Sequence, residues 1–325
     1  MHPRSLKYLR GKKASIARRE KRYVVRVFHP RGQYPRGCLS LPEALYFADD
    51  EIAFCVTHTK RWVPGDEEAP YTEMDWVTPD ELRLISSVLL CEVEGEGKIL
   101  FYPVHYYSPA INRQKLDLTS PDTIHALKFL VLGGLRNPEF GHNLEAFDQC
   151  LRWRYSLIDE AQTDLSRNAD YWKRIKPTDR LLLRGLSALI KADMLSRYSE
   201  FFEEATICCF ISLEASFRLI LRRLASEGVQ NPGSKDAARW LHKHFDSHIG
   251  HAAPLGRYFE EFYDQRVMTL HPSSRFGEFA YAPLAHDDYY HLRGSLRSIF
   301  GYLVSGKHDR GFLEEVEHFR NRREP

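Results

Sequence analysis

The segment from Phe202 to Leu224 constrains this chain more than any other. Phe202, Thr206, Cys209, Leu213, Phe217, Ile220 and Leu224 recur at steps of three and four, the repeat of a helix that buries one stripe. A helix of about six turns cannot cover such a stripe alone and needs partner helices. The neighbouring sequence supplies them. "PTDRLLLRGLSALIKADML" opens on Pro-Thr-Asp and places Leu182, Leu186, Leu189 and Ile190 at helical spacing. After Gly228, "NPGS" breaks the chain before "KDAARWLHKHFDSHI". A further helix is predicted over roughly 255–270, and a last long one carries Leu292, Leu296, Ile299, Phe300 and Leu303. Residues 141–325 therefore predict an antiparallel helical bundle.

The first half reads differently. "RYVVRVF" alternates basic and β-branched residues, and "EIAFCVTH" and "KILFYPVHYY" are short β-rich runs. "VPGDEEAP" is a loop, and "TPDELRLISSVLL" opens on a Thr or Asp cap and continues as a helix. "VLGGLRNPEFGHN" reads as a linker. The fold class is α+β: a basic arm over 1–22, a mixed α/β domain over 23–140, and an all-α bundle over 141–325.

Charge and composition narrow the function. Hydrophobic residues make up 43% and charged residues 28% of the 325, which is the balance of a globular chain with a real core. No apolar run reaches the ~18 residues that span a bilayer, and the start lacks a signal-type apolar stretch, so a cytoplasmic protein without membrane contact is expected. Six scattered cysteines form no CxxC pair and read as reduced thiols. The first 22 residues hold nine Lys/Arg against Glu20 alone. Such an arm either tracks a phosphate backbone or is a solvated leader. No Gly-rich phosphate loop, GxSxG elbow or nucleotide fingerprint is present, and no cofactor is expected.

One late segment, "YDQRVMTLHPSSRFG" (263–277), carries a candidate for chemistry. Arg266 lies in the final turns of an apolar helix, and His271 follows five residues on, directly before Pro272. Five positions on an ideal helix turn a side chain about 140° away. A residue before proline leaves the α region, so His271 can turn back toward Arg266. The spacing itself is uninformative, because Arg239 and His244 repeat it and Arg136 and His142 come close. The proline and the helical surroundings set the late pair apart.

Other clusters have bland readings beside sharper ones. His244, His248 and His251 fall at steps of four and three and could ligate zinc or simply face solvent. "HDDYYH" (286–291) suggests a metal-dependent phosphohydrolase, but the remaining ligands of such a centre cannot be assembled, and Asp287 and Asp288 suit the first turn of a helix. Tyr289, Tyr290, Arg293 and Arg297 form either a solvated face or a contact surface for nucleic acid or a second protomer. Cys208 and Cys209 read as core.

A bundle with an acid-bearing helix ("FISLEASFRLILRRLAS"), then an arginine and a histidine near the end of a late helix ("YDQRVMTLHPSS"), then one more amphipathic helix, resembles HEPN-domain proteins. The likeness covers roughly residues 178–305, and "LHPSS" is similar to the abortive-infection and ApeA-like branch. It implies a metal-independent endoribonuclease, a defence or toxin effector whose sites form where two HEPN domains meet in a homodimer. RNA brings its own nucleophile, the 2′-OH. His271 would then be general acid or base and Arg266 the stabiliser of developing phosphate charge. Tyr263 would line the cleft or bind a base, with core packing as its alternative, and Glu214 would orient Arg266. On such an enzyme the Arg293 and Arg297 surface read above would be the RNA contact. The N-terminal domain would receive a protein or phage-derived trigger. Many catalytic members carry a polar residue, often asparagine, after the arginine. Val267 departs from that pattern and points to the alternative, a non-catalytic HEPN adaptor for dimerisation or partner binding.

Overall fold

The computed structural model describes residues 22–59, 79–93, 98–102, 110–111, 116–135, 154–158, 162–254 and 286–323. The chain divides into two compact units: Met1–Leu84 with Tyr102–Leu157, and Ile85–Phe101 with Ile158–Pro325. The class is α+β, with an antiparallel sheet in the first unit and helices in the second.

In the first unit, strand β1 (Arg22–Val27) lies between β5 (Ala53–Thr59) and the two-residue β6 (Ala110–Ile111). Strands β3 (Gly37–Leu41) and β4 (Ala44–Ala48) complete the sheet in the order β3-β4-β5-β1-β6. The short β2 (Gln33–Pro35) pairs separately with β7 (Ser156–Ile158). Register places Val25 opposite Val56 and Val27 opposite Phe54. These side chains form a core with Leu118, Leu127 and Val131, the last two from helix α2 (Pro121–Leu135). The alternation in "RYVVRVF" predicts one wet face, yet Arg26 is buried. Its Nε donates to Glu81 Oε1 at 2.6 Å. Glu81 comes from helix α1 (Pro79–Leu89), so a matched charge, not water, satisfies the arginine.

Two readings of this half need correction. The "KILFYPVHYY" run, described only over residues 98–102, contributes a single β-bridge at Leu100 there and no extended strand. The linker assigned to "VLGGLRNPEFGHN" begins as helix, because α2 runs through Gly133 to Leu135. Apolar side chains pack that helix onto the sheet, and tertiary contacts of this kind override weak propensity. Residues 85–101, assigned by sequence to the first domain, group with the second unit.

The second unit holds α3 (Asn168–Arg174), α4 (Arg180–Leu195), α5 (Phe202–Ser226), α6 (Ser234–Leu241), α7 (His286–Ser305) and α8 (Arg310–Arg323). Asp179 caps α4 by accepting from the Leu182 amide at 3.2 Å. Leu182, Leu186, Leu189 and Ile190 are buried, as the spacing predicts. Helix α5 buries Thr206, Cys209, Leu213, Ile220 and Leu224, and Gly228 follows its end in the left-handed region (φ +95°). Gly185 lets α4 meet its neighbours closely: a Cβ there would lie 2.6 Å from Phe300 and 2.8 Å from Ala215.

After α6 the backbone loosens into a π-helical turn, His242–Asp246. A second core gathers Ile220, Leu224, Trp240, Phe245, Ile299, Phe312 and Val316. Helix α8, which supplies the last Phe and Val, has no counterpart in the sequence reading. Its apolar positions are sparse in a charged stretch, but Gly306 (φ +71°) and the Asp309 cap mark its start. Among the described residues no helix is long and apolar enough to cross a membrane.

Candidate functional site

Tyr263, Arg266, Val267, His271 and Pro272 lie outside the described residues, as does the basic arm up to residue 21. Glu214 sits on the exposed side of α5. The remaining predicted site residues, Arg293 and Arg297, fall on α7 and are not at a surface: each is at most 2% exposed. The expectation that they contact nucleic acid is corrected by what surrounds them. Arg293 donates from Nε to Asp193 Oδ1 at 2.9 Å and from Nη2 to Asp193 Oδ2 at 2.8 Å. Its Nη1 and Nη2 also reach the two carboxylate oxygens of Glu92. Arg297 donates from Nη1 to the Glu92 carbonyl at 2.6 Å and from Nη2 to Asp309 Oδ2 at 3.1 Å. Tyr289, expected on the same face, is buried as well.

The network keeps Arg293 charged, while burial still raises the Asp193 carboxyl above its ordinary value against the pull of Arg293. Burial would lower the Arg293 pKa, but Asp193 and Glu92 raise it well above its ordinary value. Burial pushes the Asp309 carboxyl up, while Arg297 and the Phe312 amide pull harder, so it ends below the usual range. Lys98 stands at the edge with its Nζ 3.0 Å from the centroid of the Tyr290 ring. Burial first, then the Arg293 charge, lowers its pKa to about 8 against the pull of Asp193 and Glu92.

A second constellation is aromatic. His244 Nδ1 lies 2.7 Å from Tyr302 Oη, and the Tyr302 ring stacks on His308 at 4.6 Å. His308 stacks in turn on Phe312 at 4.2 Å, and His248 approaches it edge-on at 5.8 Å. Burial, then His248, holds His308 down to about 4, with Asp309 opposing. His244 is lowered by burial and then by Lys243 and Arg223. Neutral imidazoles beside a phenol can pass a proton but are poor anion binders. The zinc idea for His244, His248 and His251 meets a different use of these residues: the His251 carbonyl lies 2.9 Å from His242 Nε2. Among the described residues no group of three or more His, Cys, Asp or Glu side chains is placed to hold a metal.

The third feature is a cleft of about 530 Å³ lined by Arg174, Asp179, Arg222, Arg223 and Glu227 over apolar Leu182, Leu219, Leu303 and Val304. Arg222 grips Asp179 with both terminal nitrogens, at 2.5 and 3.1 Å. Arg223 gives only Nε to Glu227 at 3.0 Å, and Arg174 only Nε to Asp170 at 2.8 Å. Sequence reading passed over this cleft. The doublet Arg222-Arg223 on the outer side of α5, with Glu227 one turn on, was the available signal.

The cysteines carry free thiols at Cys38, Cys55, Cys91, Cys208 and Cys209. Burial pushes Cys209 well up, which suits packing rather than nucleophilic work.

Compared with family models, with curated proteins and with solved structures, the chain has no match.

Proposed function

We propose that this chain is a metal-independent endoribonuclease of HEPN type that cleaves RNA through the RNA's own 2′-OH. One observation carries the reading: Arg266, His271 and Pro272 stand in that order in a half of the chain that is helical before and after them. His271 transfers the proton, and the Arg266 fork stabilises charge on the phosphate. Tyr263 lines the cleft, and Glu214, on the exposed side of α5, orients Arg266. The protein works in the cytoplasm as a homodimer in antiviral defence or as a toxin, and its N-terminal unit receives the trigger. Arg293 and Arg297 have no part in RNA contact, because their donors are committed to buried partners.

A second reading rests on Val267. Val267 is apolar where many catalytic HEPN members carry a polar residue directly after the arginine, and the same helices would then serve a non-catalytic adaptor.

Purified protein incubated with RNA, with and without EDTA, separates the two. EDTA-resistant cleavage leaving 2′,3′-cyclic phosphate ends is expected. Arg266→Ala and His271→Ala should each reduce it by at least about 100-fold without changing the circular dichroism spectrum. Absence of cleavage with every candidate trigger selects the adaptor. Cleavage that EDTA abolishes and both variants retain overturns the HEPN site.

A further inference from the structure

We infer that the cleft between α3, α4, α5 and α7 binds a compact phosphate monoester carrying an apolar or aromatic body. The reasoning begins with how its arginines are held. Arg174 and Arg223 each commit only Nε, to Asp170 and Glu227, carboxylates four residues away on the same stretch of helix. Their four terminal nitrogens have no hydrogen-bond partner among the described residues. A guanidinium fixed at Nε keeps a planar two-nitrogen edge, and that edge matches two phosphate oxygens. Holding the forks in place beforehand removes ordering cost at the moment of binding.

The shape fits the same ligand. At about 530 Å³ the cleft is the size of a small-molecule site. Leu182 and Leu219 are almost fully buried and form its floor, while Leu303 and Val304 are half-buried on one side. Charged forks above an apolar floor ask for a ligand with one strongly anionic end and one apolar end.

Charge balance selects a small ligand over a nucleic acid. The three arginines are matched by Asp170, Asp179 and Glu227, so the rim has little net field. A polyanion is drawn by long-range positive potential and counterion release, and this rim supplies neither. A dianionic monoester needs only the short-range forks. The site is independent of the ribonuclease reading and shares no residue with it.

Isothermal titration calorimetry on the full chain tests this with phenyl phosphate, inorganic phosphate and a five-nucleotide RNA lacking terminal phosphates. Saturable binding of phenyl phosphate, tighter than inorganic phosphate by about tenfold, is expected from the apolar floor. Arg174→Gln with Arg223→Gln should weaken it about 100-fold, a factor of ten per fork. The double Arg→Lys variant keeps the charge but loses the planar edge, and should weaken binding about tenfold while retaining the wild-type melting temperature. Arg266→Ala and His271→Ala should bind normally, whatever they do to RNA. The proposal fails if phenyl phosphate shows no saturable binding up to about 5 mM. It fails equally if the double Lys variant binds as wild type, or if the RNA binds and phenyl phosphate does not.

Discussion

Two sets of arginines in the second unit obey opposite rules. Arg293 and Arg297 are sealed, with every contact made to the protein itself. Arg174 and Arg223 are about half and one-third exposed and hold back their terminal nitrogens. The same side chain therefore serves as an internal bolt in one place and as an open fork in the other. What separates the roles is the number of acceptors the fold delivers to each guanidinium. Two carboxylates converge on Arg293 from residues 92 and 193, far apart in sequence, whereas each open fork meets a single carboxylate one helical turn away.

The sharpest way to break this contrast is to remove one arginine from each set. Arg293→Ala strands Glu92 and Asp193 as buried carboxylates and should cost about 3–5 kcal/mol in urea unfolding. Arg223→Gln should stay within about 0.5 kcal/mol of wild type, because exposed i,i+4 pairs contribute little. Replacing all three groups together (Arg293→Met, Glu92→Gln, Asp193→Asn) should cost less than Arg293→Ala alone, since no unpaired charge remains. Equal losses from Arg293→Ala and Arg223→Gln would dissolve the distinction.

How much of this was legible in the sequence follows from the range of the contacts. Helices α4 and α5 were readable because their stripes are local: Leu186 and Leu189, or Cys209 and Leu213, report their own burial through spacing. Strands β1 and β5 were readable from their β-branched and aromatic content, although the alternation in β1 misjudged Arg26. The buried network was not, because Arg293 on a helix with Asp287, Asp288 and Tyr290 nearby has the local look of a solvated face. Only the fold brings Glu92 and Asp193 to it. Helix α8 escaped because Phe312 and Val316 are isolated among charges. The Arg266–His271 segment was the most suggestive in the sequence and lies outside the described residues, so its reading still rests on Pro272 and Val267.

A smaller effect comes from the aromatic cluster, which neighbours both sets. His308 adjoins Asp309, the partner of Arg297, and His244 feels Arg223 and Glu227. Folding lowers the His308 pKa from 6.5 to about 4, by burial first and then by His248, with His244 and Arg167 adding and Asp309 opposing. The unfolded chain therefore binds the extra proton across that window. The His308 contribution to stability should decline as pH falls from 6.5 toward 4 and stay level above 6.5. His308→Phe preserves the stack with Tyr302 and Phe312 and should flatten that part of the urea-midpoint profile. A variant profile parallel to wild type between pH 4 and 6.5 would show that His308 is not held neutral.

The smallest effect, at Lys98, tests whether the edge of the sealed network behaves like its centre. Two influences oppose each other there. Burial and Arg293 disfavour the ammonium, lowering the pKa from 10.5 to about 8, while the Tyr290 ring face 3.0 Å away favours it. Since the unfolded lysine holds its proton up to about 10.5, the unfolded state binds more protons between pH 8 and 10.5, and stability should rise with pH across that interval. The side chain is partly exposed to solvent, so screening keeps the rise shallow. Lys98→Met should remove the rise. At pH 7 it should change stability little, because losing the ring contact offsets relief of the disfavoured charge. If the ring contact outweighed burial, the wild-type rise would be absent and Lys98→Met would destabilise at pH 7. The boundary of the sealed region would then lie between Arg293 and Lys98, with only residues saturated by carboxylates counting as part of the bolt.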